Sequence, residues 1–229
     1  MSMAAGEIVL RLLGRRPYRT VWRGMQAFTE GRDGDTADEL WAVEHPPVYT
    51  LGRNARTEHL LAPGTVPVVE TDRGGQVTYH GPGQAVLYTL VDLRRRGQGV
   101  RWLVNALEGA VIDLLAEYGI AAAARPDAPG VYVEGAKIAS LGLRVRRGCA
   151  YHGVSLNVAM DLAPFAGINP CGYPGLAVTE LRAFGIDVDV DAILPMLAQR
   201  VAGRLGYAEC RTQLGEAAVA ADENLECMQ

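Results

Sequence analysis

Four short segments carry the residue types that covalent chemistry needs. In Ile168-Asn169-Pro170-Cys171-Gly172 a cysteine stands between proline and glycine in a polar stretch. Such a thiol is expected to be less buried than a core cysteine, and its thiolate is a nucleophile. Cys149, Cys210 and Cys227 have no comparable surroundings, and no C-x-x-C spacing occurs. A disulfide framework is therefore not indicated in a chain of this size. The second segment, Gly135 to Arg144, holds Lys137, the one lysine among 22 basic residues. Arginine stays protonated in proteins, so Lys137 is the sole side-chain amine able to gain and lose a proton. A lysine opening a strand is also an ordinary solvated edge charge.

The third segment runs Arg73-Gly74-Gly75-Gln76-Val77-Thr78-Tyr79-His80-Gly81-Pro82-Gly83-Gln84. Its glycines let a ligand approach the backbone closely. It is neither a Walker loop nor a dinucleotide fingerprint, and a tight hairpin explains the same composition. In the fourth, Tyr151 to Asn157, strand alternation places His152, Val154 and Leu156 on one face and Gly153, Ser155 and Asn157 on the other. His45, His59, His80 and His152 show no i, i+4 pair and no zinc spacing, so no metal site is expected. A protease-like Cys171–His152 pair is open, with nothing local to favour it.

These segments need elements to hold them. Short strands are expected at Ile8–Leu12, Leu40–Val43, Val48–Leu51, Val66–Glu70, Val77–Tyr79, Gln84–Leu90, Val131–Val133, Lys137–Val145 and Tyr151–Val158. Pro17 opens a helix with Val21, Trp22, Met25 and Phe28 on one face. A second helix covers Arg101–Tyr118 with Gly119 as its stop, and a third starts at Asp189 or Asp191 and ends near Leu205. Pro195 suits that helix only near its first turn. Thr179–Phe184 reads as a short helix capped by Thr179. Strands grouped apart from helices, without regular βαβ alternation, give an α+β domain. One domain is expected over 1–215, with a flexible tail at 216–229.

Composition narrows the function classes. The chain has 229 residues and a net charge of −4, which argues against a general nucleic-acid binder. No apolar run approaches the roughly 18 residues of a membrane span. The N-terminal arginines follow the apolar stretch rather than precede it, the reverse of a secretory signal, so a cytoplasmic location is expected.

In order along the chain, RGGQVTYHGPGQ at 73–84, GAKIASLGLR at 135–144, HGVSLN at 152–157 and INPCG at 168–172 resemble the signature blocks of the octanoyltransferase family. The likeness spans about Leu40 to Asp189, with Ser155 where the family more often has alanine. It implies an α+β fold similar to the catalytic domain of biotin and lipoate protein ligases, a mixed β-sheet flanked by helices. It implies transfer of an octanoyl group from octanoyl-acyl carrier protein to a lysine of lipoyl domains, in 2-oxoacid dehydrogenase complexes and the glycine cleavage H protein, without a cofactor. In the family the INPCG cysteine forms a thioester and the lysine lowers its pKa and moves protons, which gives those roles to Cys171 and Lys137. Family substrate contacts map onto Arg73, Gly74, Gly75, Gln76, Val77, Thr78, Tyr79 and His80, onto Ser140, Leu141 and Gly142, and onto Gly153, Val154 and Ser155.

The pairing is chemically sound. In water a lysine of pKa about 10.4 outcompetes a thiol of about 8.5 for the shared proton. Two alternatives stand beside the transferase: an ATP-dependent lipoate or biotin protein ligase on the same fold, which needs no cysteine nucleophile, and a non-catalytic acyl-protein or lipoyl-domain binding module. Both protein partners are typically acidic, so Arg94, Arg95, Arg96, Arg144, Arg146 and Arg147 read either as docking patches or as solvated arginines.

Overall fold

The computed structural model describes residues 6–213. The expectation of a tail at 216–229 lies outside the described residues. An eight-stranded mixed sheet is the backbone of the molecule. Its strands are β1 (Glu7–Arg15), β2 (Glu39–Glu44), β6 (Gln84–Asp92), β7 (Ala123–Ala124), β8 (Val131–Val133), β9 (Ala136–Arg146), β10 (Cys149–Asn157) and β11 (Glu209–Gln213), in spatial order β11-β1-β2-β6-β10-β9-β8-β7. β1 runs parallel to both β11 and β2, and the remaining pairs are antiparallel. A separate sheet of β3 (Val48–Leu51), β4 (Val68–Glu70) and β5 (Val77–His80) carries the glycine loop between its last two strands.

Helices cover both faces. α2 (Val100–Glu117) and α3 (Val190–Arg204) pack on one, where Leu103, Leu107, Leu197 and Val201 meet Leu87, Val154 and Leu156. α1 (Tyr18–Gly31) covers the other with Val21 and Met25 against Trp41, Tyr88 and Tyr151. Covering both faces is why every residue of β6 and β10 is buried, the pattern of a strand between two layers. No helix among the described residues is long and apolar enough to cross a membrane.

Several local expectations change. β11 is an added strand that its polar sequence did not announce; it pairs with β1 at the sheet edge. Thr179 caps nothing: the short 3₁₀ turn spans Leu181–Phe184 and follows Glu180. Asp189 caps α3 through Ala192 N–H at 2.7 Å, but Pro195 falls inside that helix, beyond its first turn. Of the arginine clusters, Arg95 and Arg96 are tied into the fold, while Arg94, Arg146 and Arg147 stay exposed. Arg95 and Arg96 both pair with buried Asp38, and Arg96 also reaches the Leu205 carbonyl and stacks on Tyr207. Arg146 pairs with Glu30.

Candidate active site

Lys137 is not the solvated edge charge that strand-initial lysines usually are. It is 1% exposed, among the largest fully buried side chains of the protein. β9 is bulged against β8 just past this point, where Val131 faces Ala139 but Tyr132 faces Lys137. The bulge turns the Lys137 backbone to the segment after the cysteine loop: its N–H donates to Ala177 O and its carbonyl accepts from Thr179 N–H. The side chain runs back along the strand into a space that Gly130 keeps open. A Cβ on Gly130 would stand 2.8 Å from Lys137 Cε and 2.7 Å from the Ala139 carbonyl, and its φ of 140° disfavours any side chain.

The ammonium is then fully used. Nζ donates to Pro129 O and to Cys171 Sγ, both at 2.9 Å, and lies 5.2 Å from the Tyr132 ring centroid. Burial alone would lower the Lys137 pKa, but the charge and hydrogen bond of Cys171, with help from Tyr132, outweigh it and leave it raised. Cys171 itself sits in the left-handed region, φ 56° and ψ 17°, inside a single 3₁₀ turn of Pro170–Gly172. A non-glycine residue there is strained, which is typical of a residue whose side chain must be aimed. The loop is anchored by Asn169 N–H to His59 O at 2.9 Å and by the Tyr173 hydroxyl to Asp127 O at 2.9 Å.

Cys171 opens onto a cleft of about 360 Å³. Of the sequence-predicted contacts, Arg73 through Thr78, His80, Ser140 through Gly142 and Gly153 through Ser155 all line it. Tyr79 does not: strand alternation in β5 turns it away, into the cluster with Tyr49 and Phe165 at centroid distances of 5.4 and 5.5 Å. The expected face for His152 is also corrected. At φ 64° its backbone breaks the alternation, so its ring stacks on Tyr151 at 5.0 Å and meets Tyr88 rather than joining Val154 and Leu156.

The glycine loop wedges against the free edge of β9. Gly74 N–H donates to Leu143 O at 2.8 Å, while β8 stops pairing at Ala139. Between them Leu141 turns its N–H and C=O to the same open edge, and Pro129 stands opposite with no N–H to continue the ladder. Arg73 points inward and bonds Thr50 through its carbonyl and hydroxyl and Gly74 O. Burial lowers this guanidinium's pKa against the pull of Tyr18 and Cys171, and no carboxylate is among its hydrogen-bond partners. It is a buried cation within electrostatic reach of the thiol.

Beside Arg73 lies a network of polar groups that sequence reasoning had not joined. Asp72 accepts hydrogen bonds from Trp22 Nε1 at 2.7 Å, Gln26 Nε2 at 3.2 Å, His152 Nε2 at 2.9 Å and the Tyr151 hydroxyl. Burial would raise its pKa, but the His152, Tyr151 and Trp22 donors outweigh it and hold the carboxyl well below the usual range. His80 donates from Nδ1 to Gln84 Oε1 and stacks on Tyr18, while His45 bridges Arg16 O and the Tyr88 hydroxyl. Among the described residues no group of three or more His, Cys, Asp or Glu is placed to hold a metal.

Comparison with known proteins follows the same lines. Residues 17–202 match the family described as the lipoyl protein ligase A/B catalytic domain. The chain is 64% identical over 192 residues to the octanoyltransferase of Alkalilimnicola ehrlichii, covering 84% of this chain and 89% of that one. Among solved structures it is similar to a lipoate-protein ligase A bound with ATP, at a TM-score of 0.77 and 16% identity, over 93% of this chain and 91% of the other. A biotin protein ligase from Aquifex aeolicus aligns at a TM-score of 0.50 and 13% identity, over 86% and 68%. At such identities these two show the fold, a mixed sheet flanked by helices as the resemblance implied.

Proposed function

The chain belongs to the octanoyltransferases of the lipoyl protein ligase A/B catalytic-domain family, and from that premise we propose that it moves an octanoyl group from an acyl-carrier thioester to a lysine of lipoyl domains through a thioester on Cys171. The observation that carries this reading is the 2.9 Å contact between Lys137 Nζ and Cys171 Sγ, with Cys171 lining the cleft.

The cycle balances on one proton. It begins with Cys171 as thiolate and Lys137 as ammonium, 2.9 Å apart. Buried Arg73 adds positive potential. The thiolate attacks the donor carbonyl; the new C–S bond forms, the donor C–S bond breaks, and the departing sulfur takes the Lys137 proton. Acylation removes the negative charge that held the lysine protonated. Burial, the largest influence on this amine, then acts unopposed by Cys171 and favours neutral Lys137. The acceptor lysine, arriving as the neutral amine, attacks the acyl-enzyme. Its nitrogen gives its proton to Lys137, the C–S bond breaks, and the starting ion pair is restored. An arginine at this position could supply charge but not the proton transfer. Gly74, Gly172 and Tyr173 spend their N–H groups on Leu143, Asn169 and Pro170 carbonyls, so these three are not free to hold the oxyanion.

The ligase on the same fold makes an acyl-adenylate and predicts ATP consumption during transfer; the transferase predicts none. The deciding experiment is intact mass after mixing with octanoyl-acyl carrier protein. A one-octanoyl gain that is absent in Cys171→Ser supports the reading, and no adduct under single-turnover conditions overturns it.

A further inference from the structure

The cleft is not confined to one face of the main sheet. Val86 and Tyr88 line it from the side that α1 covers, whereas Leu141, Leu143 and Val154 pack with the core under α2. The arm on the α2 side has two apolar walls. One is a row on α2. Glu108 Oε1 accepts from Gly130 N–H at 2.8 Å, which sets the inner end of the row beside Lys137. Val104 and Val100 follow at one-turn intervals, and both line the cleft. Eight residues at 1.5 Å each make this wall about 12 Å long. The other wall is β9. Leu141, Leu143 and Val145 alternate onto the α2 side, while Arg146 reaches Glu30 of α1 on the opposite side. From Leu141 to Val145 is about 13 Å at 3.3 Å per residue.

Both walls finish at the same place. Gln98 N–H donates to Leu93 O and Leu93 N–H to Gly148 O, which ties the start of α2 to the β9–β10 turn. This outer end is apolar and open: Val100 is 48% and Val145 38% exposed, two of the five exposed large apolar side chains among the described residues, and a third, Tyr173, lines the cleft with Cys171. Exposed cations stand beside the two valines, Arg101 next to Val100 and Arg147 in the turn after Val145. In a chain of net charge −4, an apolar groove that leads to the nucleophile opens between arginines. Its length selects the visitor. A lysine side chain reaches only about 6 Å from its backbone, given bonds near 1.5 Å, so an acceptor domain must meet Cys171 directly. A phosphopantetheine arm has about thirteen bonds from phosphorus to sulfur and spans about 15 Å.

We propose that the groove between α2 and β9 seats the phosphopantetheine arm of the acyl donor, with the acidic carrier domain docked on Arg101 and Arg147. This rests on the acyltransferase reading and gives the donor its side of entry. The thioester then meets Cys171 from the α2 side of β9, and the arm of the cleft beneath the glycine loop is left to the acyl chain. The arginines act on the carrier's acidic surface and on the phosphate of its arm, the valines on the arm itself.

The test compares acylation of Cys171 by octanoyl-acyl carrier protein with acylation by octanoyl-pantetheine, which lacks both carrier and phosphate. In the double variant Arg101→Glu, Arg147→Glu the carrier-to-pantetheine ratio of kcat/KM falls at least about tenfold, mainly through KM. Val100→Glu puts a carboxylate where a helix's first turn favours one, yet lowers kcat/KM about tenfold for both thioesters, and for butanoyl-pantetheine as much as for octanoyl-pantetheine. In the wild-type chain added salt slows the carrier reaction and spares the pantetheine one; this comparison decides alone if a variant does not fold. An unmoved ratio, or equal salt dependence, overturns the proposal. So does a loss confined to the octanoyl chain in Val100→Glu, which would put the acyl chain in the groove. A double variant that acylates normally but loses transfer from preformed octanoyl-enzyme to a lipoyl domain gives this face to the acceptor and also overturns it. A wild-type chain that forms no octanoyl adduct with either thioester overturns the transferase reading, and this one with it.

Discussion

Two parts of the site bury titratable groups to opposite effect. At the mouth Lys137 is buried yet its pKa is kept raised, chiefly because Cys171 supplies the balancing charge and a hydrogen bond. In the adjoining histidine cluster His45 and His80 are buried and kept neutral, their pKa values pushed down to about 4 and about 3 by burial, and for His80 also by the neighbouring His45. Here each ring has a fixed hydrogen-bond partner instead of a counter-charge. The backbone differs in the same sense. The mouth holds a strained cysteine on a short turn, and His80 of the histidine cluster lies on a strand. Burial lowers the basicity of lysine and histidine alike. What decides the outcome is whether the partner's charge changes during the reaction. Acylation erases the thiolate and so resets Lys137, while nothing in the transfer alters the groups around His80.

The comparison breaks first at Lys137. Lys137→Arg keeps the positive charge beside Cys171 and removes the proton carrier. Turnover should fall by about 10²–10⁴, the range of a lost general acid–base, while Cys171 stays reactive toward a small alkylating reagent. Turnover within about threefold of wild type would show that charge alone suffices at the mouth and would remove the shuttle.

Gly130→Ala tests the same end through shape. The new methyl would meet Lys137 Cε and the Ala139 carbonyl, and φ of 140° adds strain of about 1–3 kcal/mol. Turnover should drop about 10- to 100-fold as Nζ is displaced from Cys171, with thermal stability falling modestly. If stability falls but turnover does not, the lysine tolerates displacement and its buried position is incidental to transfer.

What the sequence disclosed follows the reach of local signals. Cys171 and Lys137 were legible because their types and neighbours are unusual at the level of a few residues. Gly130 and Pro129 were not, since Pro-Gly reads as a turn wherever it occurs; their work is visible only once Lys137 is folded back over them. Tyr79 was misplaced because a motif was carried over as a block, whereas β5 alternates and turns that ring to the other side. His152 was misplaced for the reverse reason: alternation was assumed where a positive φ suspends it. Asp72 meets Trp22, Tyr151 and His152 across separations of 50, 79 and 80 residues, and no single window of sequence contains them. The fold class was readable from element order, but β11 was not, because an exposed edge strand carries no apolar pattern.

The smallest effect sharpens the comparison from the histidine cluster. In the unfolded chain His45 and His80 take up protons near pH 6.5. In the folded chain they resist until about pH 4 and about pH 3. Above pH 6.5 both states are neutral at these sites, so no dependence arises. As pH falls from 6.5 to 4 the unfolded state binds more protons and stability declines, by up to about 1.4 kcal/mol per pH unit for each histidine. Asp72 acts in a different window, because its depressed pKa gives a contribution that is complete above about pH 4 and lost only below it. Lys137 adds no slope in this range, since its raised pKa gives stability that is fully present here and lost only as pH rises through the folded value. Urea unfolding at pH 7, 5.5 and 4.5 should therefore show a loss that begins below 6.5, and His80→Gln, whose amide retains a donor for Gln84, should remove about one proton's worth of slope. An unchanged slope in that variant would mean that His80 charges within the fold, and the histidine cluster would then resemble the mouth.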